Sequence, residues 1–179
     1  MSPLTLKTEG DTHVVVTRRF AASPEIVYRA HTDPKLIQKW LLGPEGWTMP
    51  VCINEARPGG NIRYEWTDGK GHGFHLTGKY LELRPYSRIV HVERMHLPDP
   101  TPENHVETTF EADGDGTLMT MRMTLPDAKT RAAMLATGME TGMEASYARL
   151  EGMLNSTRDD DISRSLRIRA GTDRTAGSH

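Results

Sequence analysis

Residues 36–66, LIQKWLLGPEGWTMPVCINEARPGGNIRYEW, decide the fold. They read as a short helix ending on Trp40, a loop punctuated by glycine and proline that carries Trp47, a strand, a Pro58-Gly59-Gly60 turn, and a second strand with Tyr64 and Trp66. All three tryptophans of the chain fall inside this window. Large aromatics bury the most apolar area per residue, and they also line small-molecule cavities. A segment that gathers them at a helix–strand junction is either the main core seam or the mouth of a pocket.

Working outward, residues 14–20 read as a Val-rich strand. Ser23-Pro24-Glu25 then supplies an N-cap, a proline for the first helical position and an acid in the first turn. Asp33-Pro34 opens a second short helix with Leu36, Ile37, Trp40 and Leu41 at spacings of three and four, and Gly43-Pro44 stops it. Further strands are expected near 50–56, 60–67, 73–83, 87–96, 104–112 and 117–125, separated by turns at 58–60, 68–71, 84–87, 98–102 and 113–116. Strands in succession with no crossover helices argue for one antiparallel sheet. From Pro126-Asp127 a long helix is expected to about 154, with Ala132, Leu135, Met139, Met143, Tyr147, Leu150 and Leu154 as its apolar stripe. The division is therefore a lead over 1–12, a domain over 13–154, and a polar, flexible tail over 155–179.

Composition narrows the function classes. The 179 residues suit one domain, and a net charge of −2 gives no bulk attraction to nucleic acid or acidic membranes. No apolar run approaches a membrane span of ~18 residues, and MSPLTLKTEGD lacks the pattern of a secretory signal. The single cysteine, Cys52, rules out an internal disulfide, so a reducing, cytoplasmic setting is expected.

The segments VVVTRRFAASPEIVYRAHTDPKLIQKWLLGP, ARPGGNIRYEW, TGKYLELRPYSRIVHV and GMETGMEASYARLEGML resemble, in this order over about residues 13–154, the START-like, helix-grip superfamily called SRPBCC. Within it the chain is similar to the branch named after the activator of the 90-kDa heat-shock-protein ATPase. The resemblance implies an α+β helix-grip fold: a curved antiparallel sheet of about seven strands wrapped around a long C-terminal helix, with two short helices after the first strand. It also implies an apolar cavity between sheet and helix. The family commonly has tryptophan at the positions of Met139 and Met143, a departure that would enlarge or soften that cavity.

Alternation places Ile62, Tyr64 and Trp66 on one strand face, and Met119, Met121 and Met123 on one face of the last strand. With Met139 and Met143 on the covering helix, these methionines form a soft lining or ordinary core filling. Trp40, Trp47, Tyr64, Trp66, Phe74, Met121, Met123, Met139 and Met143 are the candidate ligand-lining residues. Gly138 and Gly142, read as interior to the helix, suggest close backbone approach or spare room.

His91 and Glu93 share a strand face and have the right types for acid–base chemistry, as in related polyketide cyclases. The opposing reading puts both on the solvent face, because Val90 and Val92 hold the other parity. His72 and His75 lack a third ligand at sensible spacing, so no metal is expected. Cys52 between Val51 and Ile53 reads as a buried, inert thiol. No nucleophile elbow, phosphate loop or dinucleotide fingerprint is present, and no cofactor is expected.

Binding of a small hydrophobic or amphipathic ligand is the leading expectation, with no nucleic-acid or membrane partner. A cyclase-type enzyme is the alternative, and a co-chaperone the third. In the eukaryotic activator a separate N-terminal domain docks on the chaperone, whereas about twelve residues precede the first strand here, so no complex with the chaperone is expected. Proteins resembling this one often pair, and no exposed apolar stripe demands it; a homodimer is left open.

Overall fold

The computed structural model describes residues 3–172, with side chains described as far as residue 156. Two strands, β1 (Thr5–Glu9) and β2 (His13–Phe20), lead into helices α1 (Pro24–Thr32) and α2 (Pro34–Trp40). Six strands follow: β3 (Thr48–Asn54), β4 (Asn61–Thr67), β5 (Gly73–Arg84), β6 (Arg88–His96), β7 (Asn104–Asp113) and β8 (Gly116–Thr124). Helices α3 (Ala128–Leu135) and α4 (Met139–Thr172) end the described chain. The sheet has 8 strands in the order β1-β2-β8-β7-β6-β5-β4-β3. Every pairing is antiparallel. This is the helix-grip architecture that the sequence implies.

Local chemistry explains the starts of the helices. Ser23 caps α1 by accepting from the Ile26 N–H, with Pro24 at the head of the helix. Asp33 ends α1 with its own N–H on Arg29 O, then caps α2 by accepting from the Lys35 N–H at 2.9 Å. One residue thus sets the angle between two helices. Asp127 caps α3 through the Thr130 N–H at 2.7 Å.

Three features depart from the sequence reading. The lead contains a strand: β1 pairs with β2 from Thr5↔Thr17 to Glu9↔His13, joined through Gly10 at φ 52°. The C-terminal helix is broken, because Gly138 adopts φ 77° between α3 and α4. Gly138 is therefore a hinge residue in the left-handed region rather than a cost inside a helix, while Gly142 lies within α4, where an added Cβ would meet Pro44 Cδ at 4.0 Å. Finally, α4 continues past 154 to Thr172, so the first part of the stretch read as a tail has a helical backbone.

The core lies between one face of the sheet and helices α1, α2 and α4. Val14, Val16, Phe20, Val106, Met119 and Leu150 are completely buried. Phe20 meets Tyr147 of α4 edge-on at 5.7 Å, and Phe110 meets Tyr28 of α1 at 5.8 Å. The sheet edges are irregular. On β3 the register shifts between Thr48 and Val51, around Pro50, and β1 is only 5 residues long.

Candidate functional site

Register defines the inner face of the sheet, the one turned toward the helices. From β4 it carries Ile62, Tyr64 and Trp66, whose partners on β5 are Gly78, Leu76 and Phe74. Their partners on β6 are in turn Glu93 opposite Gly78 and Met95 opposite Leu76, with His91 opposite Tyr80. His91 and Glu93 therefore face inward, and the solvent-face alternative is excluded by pairing. Val90 belongs to the outer face, opposite Glu82 and Glu107, and is buried there by its neighbours.

Around this pair the inner face is apolar but open. Cys52, Phe74, His91, Glu93, Met95 and Met121 all have inward parity and remain partly exposed. The His91 and Glu93 side chains keep 19% and 17% of their surface accessible, and His91 Nε2 lies 3.5 Å from Glu93 Oε1. His91 Nδ1 is buried with no hydrogen-bond partner. Opposite Glu93 on β7 stands Asn104, buried, with its Oδ1 equally unpartnered.

Two phenols flank the pair. Tyr64 and Tyr80 both donate to Asn54 Oδ1, at 2.8 and 2.7 Å, and the Asn54 amide donates to Thr32 O at 2.7 Å. Burial pushes the Tyr80 phenol up to about 12, and burial with the nearby Tyr80, Cys52 and Glu93 raises Tyr64 well above the ordinary tyrosine range. Both phenols stay protonated. Burial also pushes the Cys52 thiol up to about 11, so it is a poor nucleophile.

The predicted lining residues separate into two groups. Trp66 stacks on Phe74 at 4.8 Å, Trp47 packs on Phe74 at 5.3 Å, and Tyr64 meets Trp66 edge-on at 5.9 Å. This aromatic cluster stands at the β4–β5 side of the inner face, and Met121, Met139 and Met143 are partly buried against the core. Trp40 and Met123 stand apart. Trp40 is 2% exposed, donates to Ala30 O at 2.9 Å, and stacks on Tyr147; Met123 is 4% exposed. Both are core residues, and Tyr64 and Trp66, each 8% exposed and Trp66 donating to Leu41 O at 2.8 Å, belong to the same buried cluster.

Sequence reasoning missed the ionic clamp that fastens α4 to β2. Arg18 lies inward between Val16 and Phe20 and bonds Glu144 through Nε and Nη2, at 3.2 and 3.1 Å. Its Nη1 reaches Glu151 at 3.3 Å and Arg19 O at 2.9 Å. Burial draws the Glu144 carboxyl upward, but bonds from Arg18 and the Leu4 N–H outweigh it and hold it below its usual range. A signal was present: an arginine at a core-facing parity, and two glutamates seven residues apart on one helix face. Arg149 adds a tether from α4, donating to Trp40 O and Gly43 O.

A concavity of 560 Å³ is lined mainly by outer-face residues, Ile53, Arg63, Thr77, Lys79, Val92 and Arg94, and also reaches Gly78 and Glu93. His75 and His96 stack on the outer face at 4.1 Å. Among the described residues no three metal-binding side chains converge, and no helix is long and apolar enough to cross a membrane.

Residues 21–155 match the family described as activator of Hsp90 ATPase homolog 1-like protein. The chain belongs to this family. Activator-homolog-like proteins fall within the SRPBCC superfamily, in agreement with the fold above. A crystal structure of a protein from Rhodobacter sphaeroides is similar over 86% of this chain and 99% of its own, at 32% identity and a TM-score of 0.80. One from Mycobacterium smegmatis is 23% identical, covers 85% of this chain and 97% of its own, and has a TM-score of 0.76. A solution structure of a protein from Staphylococcus epidermidis, 23% identical over 86% of this chain and 94% of its own, has a TM-score of 0.73; these last two share the fold. No curated protein matches.

Proposed function

We propose that this family member binds a small hydrophobic or amphipathic molecule on the inner face of the sheet, beneath the start of α4. The observation that carries the reading is the partial exposure of inward-facing side chains, Phe74, His91, Glu93 and Met95, beside residues of the same parity that are wholly buried. An inner face packed shut would leave none of them accessible. Trp47, Tyr64, Trp66, Phe74, Met121, Met139 and Met143 supply the apolar wall, and His91 and Glu93 orient the ligand. Burial of apolar surface, worth about 25 cal/mol per Å², drives association. Native mass spectrometry of freshly purified protein, against the same sample denatured, tests this. An added mass lost on denaturation is expected; a bare protein that also takes up no apolar probe would overturn it.

A second reading is acid–base catalysis on a hydrophobic substrate, favoured by the inward placement of the His91–Glu93 pair. It requires that His91→Asn or Glu93→Gln abolish turnover and leave binding in place. Unchanged turnover in both variants would remove it.

A further inference from the structure

We infer that the ligand carries a protonated amine, or an equivalent cationic hydrogen-bond donor, which seats against Glu93. This rests on the binding reading above and names the chemistry of its polar end. The inference follows from which hydrogen-bonding groups on the inner face remain unused.

The Asn54 amide is fixed by its Nδ2 bond to Thr32 O, so its Oδ1 must face the two phenols. Tyr64 and Tyr80 therefore both spend their only proton on Asn54, and each phenol oxygen has acceptor capacity left. His91 directs one ring nitrogen at Glu93 and leaves the other buried without a partner. When the facing nitrogen carries the proton, the buried Nδ1 is a bare acceptor. Asn104 Oδ1 is a further buried acceptor without a donor. Glu93 itself accepts only. Gly78 lies between Ile62 and Glu93 in register, and its missing side chain lets the β6 backbone come close, since an added Cβ would run into Val92 O.

Positive charge is missing from the same surface. Among the inward positions of the described strands, Arg18 is the cation, and it is committed to Glu144 and Glu151. A carboxylate or phosphate headgroup would meet Glu93 and several lone pairs with no free cation. An ammonium, with three donors and one charge, satisfies the acceptors that the fold leaves unpaired. The Tyr64 ring, close enough to Glu93 for the two to interact, favours a cation further.

The test compares three ten-carbon probes of equal apolar length, decylamine, decanoic acid and decan-1-ol, by quenching of tryptophan fluorescence in the full chain at pH 8 and 0.15 M salt. The amine is expected to bind about tenfold tighter than either other probe. Glu93→Gln is expected to remove about tenfold of that preference. Equal affinities, tighter binding of the acid, or an amine preference untouched by Glu93→Gln would overturn the inference and leave the apolar binding reading standing. No binding of any probe would overturn both. Should Glu93→Gln fail to fold, the ranking of the three probes on the native chain decides.

Discussion

Across β2, β8 and β7 the inner face is closed apart from Met121, with Val14, Val16, Val106 and Met119 wholly out of solvent and α4 locked down by Arg18. Across β3 to β6 the same parity carries Cys52, Phe74, His91, Glu93 and Met95, all partly accessible. The difference follows from what lies above each half. Helices α1 and α4 cover the first, through Phe20–Tyr147 and Tyr28–Phe110 contacts. Over the second, α2 reaches the β3 rim, where Gln38 donates to Met49 O, and Trp47 packs on Phe74. One half holds the fold together, and the other is left available.

The contrast can be broken most forcefully at Arg18. Replacing it with methionine leaves Glu144 and Glu151 facing a core without a counter-charge, and the expected cost is about 3–5 kcal/mol in urea unfolding. Glu93→Gln in the open half should cost under about 1 kcal/mol. Equal costs would erase the distinction between the halves.

Acid sharpens it next. His31 is half-buried against Phe20, Trp40 and Phe110, its Nδ1 donating to Val27 O at 2.7 Å and its buried Nε2 unpartnered. Burial lowers its pKa from 6.5 to about 4, against the raising effect of the Val27 bond. Between those values the unfolded chain binds the extra proton, so stability is whole above pH 6.5 and falls as pH drops toward 4. The loss should total about 3 kcal/mol. His31→Phe should flatten that slope in urea titrations across this range; an unchanged slope would place its origin elsewhere.

How legible this was depends on the residue. The 36–66 window, the capping pairs at Ser23-Pro24 and Asp33-Pro34, and the strand spacing led directly to two short helices and one antiparallel sheet, and the family resemblance supplied their helix-grip arrangement. The strand β1 was hidden because its only apolar residues near the edge are Leu4 and Leu6, too few to show alternation. His91 and Glu93 could not be assigned to a face from β6 alone, since valines alternate with them and Val90 is buried on the outer side. Pairing with Gly78 and Tyr80 resolves it, and pairing is a property of three strands together. Trp40 and Trp66 are indistinguishable in sequence as lining; only the Ala30 and Tyr147 contacts of Trp40 separate them.

Smaller effects probe the open half. Met143→Trp should be accepted with a stability change under about 1 kcal/mol if Met143 borders free space, and should weaken probe binding about tenfold. A destabilisation of about 1–3 kcal/mol would instead mean that the space is already filled. Cys52 should react with a chromogenic thiol reagent at pH 8 about a hundredfold more slowly than an unperturbed thiol, and a bound ligand should slow it again. Rapid labelling indifferent to ligand would place Cys52 outside the site.

The uneven edges of the sheet have a consequence for how the molecule fares among its neighbours. An open sheet with two free rims invites other extended chains to add on, the first step toward aggregation. Pro50 removes a donor from one rim and the shift between Thr48 and Val51 bends it, while the other rim is a strand of 5 residues bearing Lys7 and Glu9. Both borders of the sheet thus carry features that discourage a neighbouring chain from adding a strand.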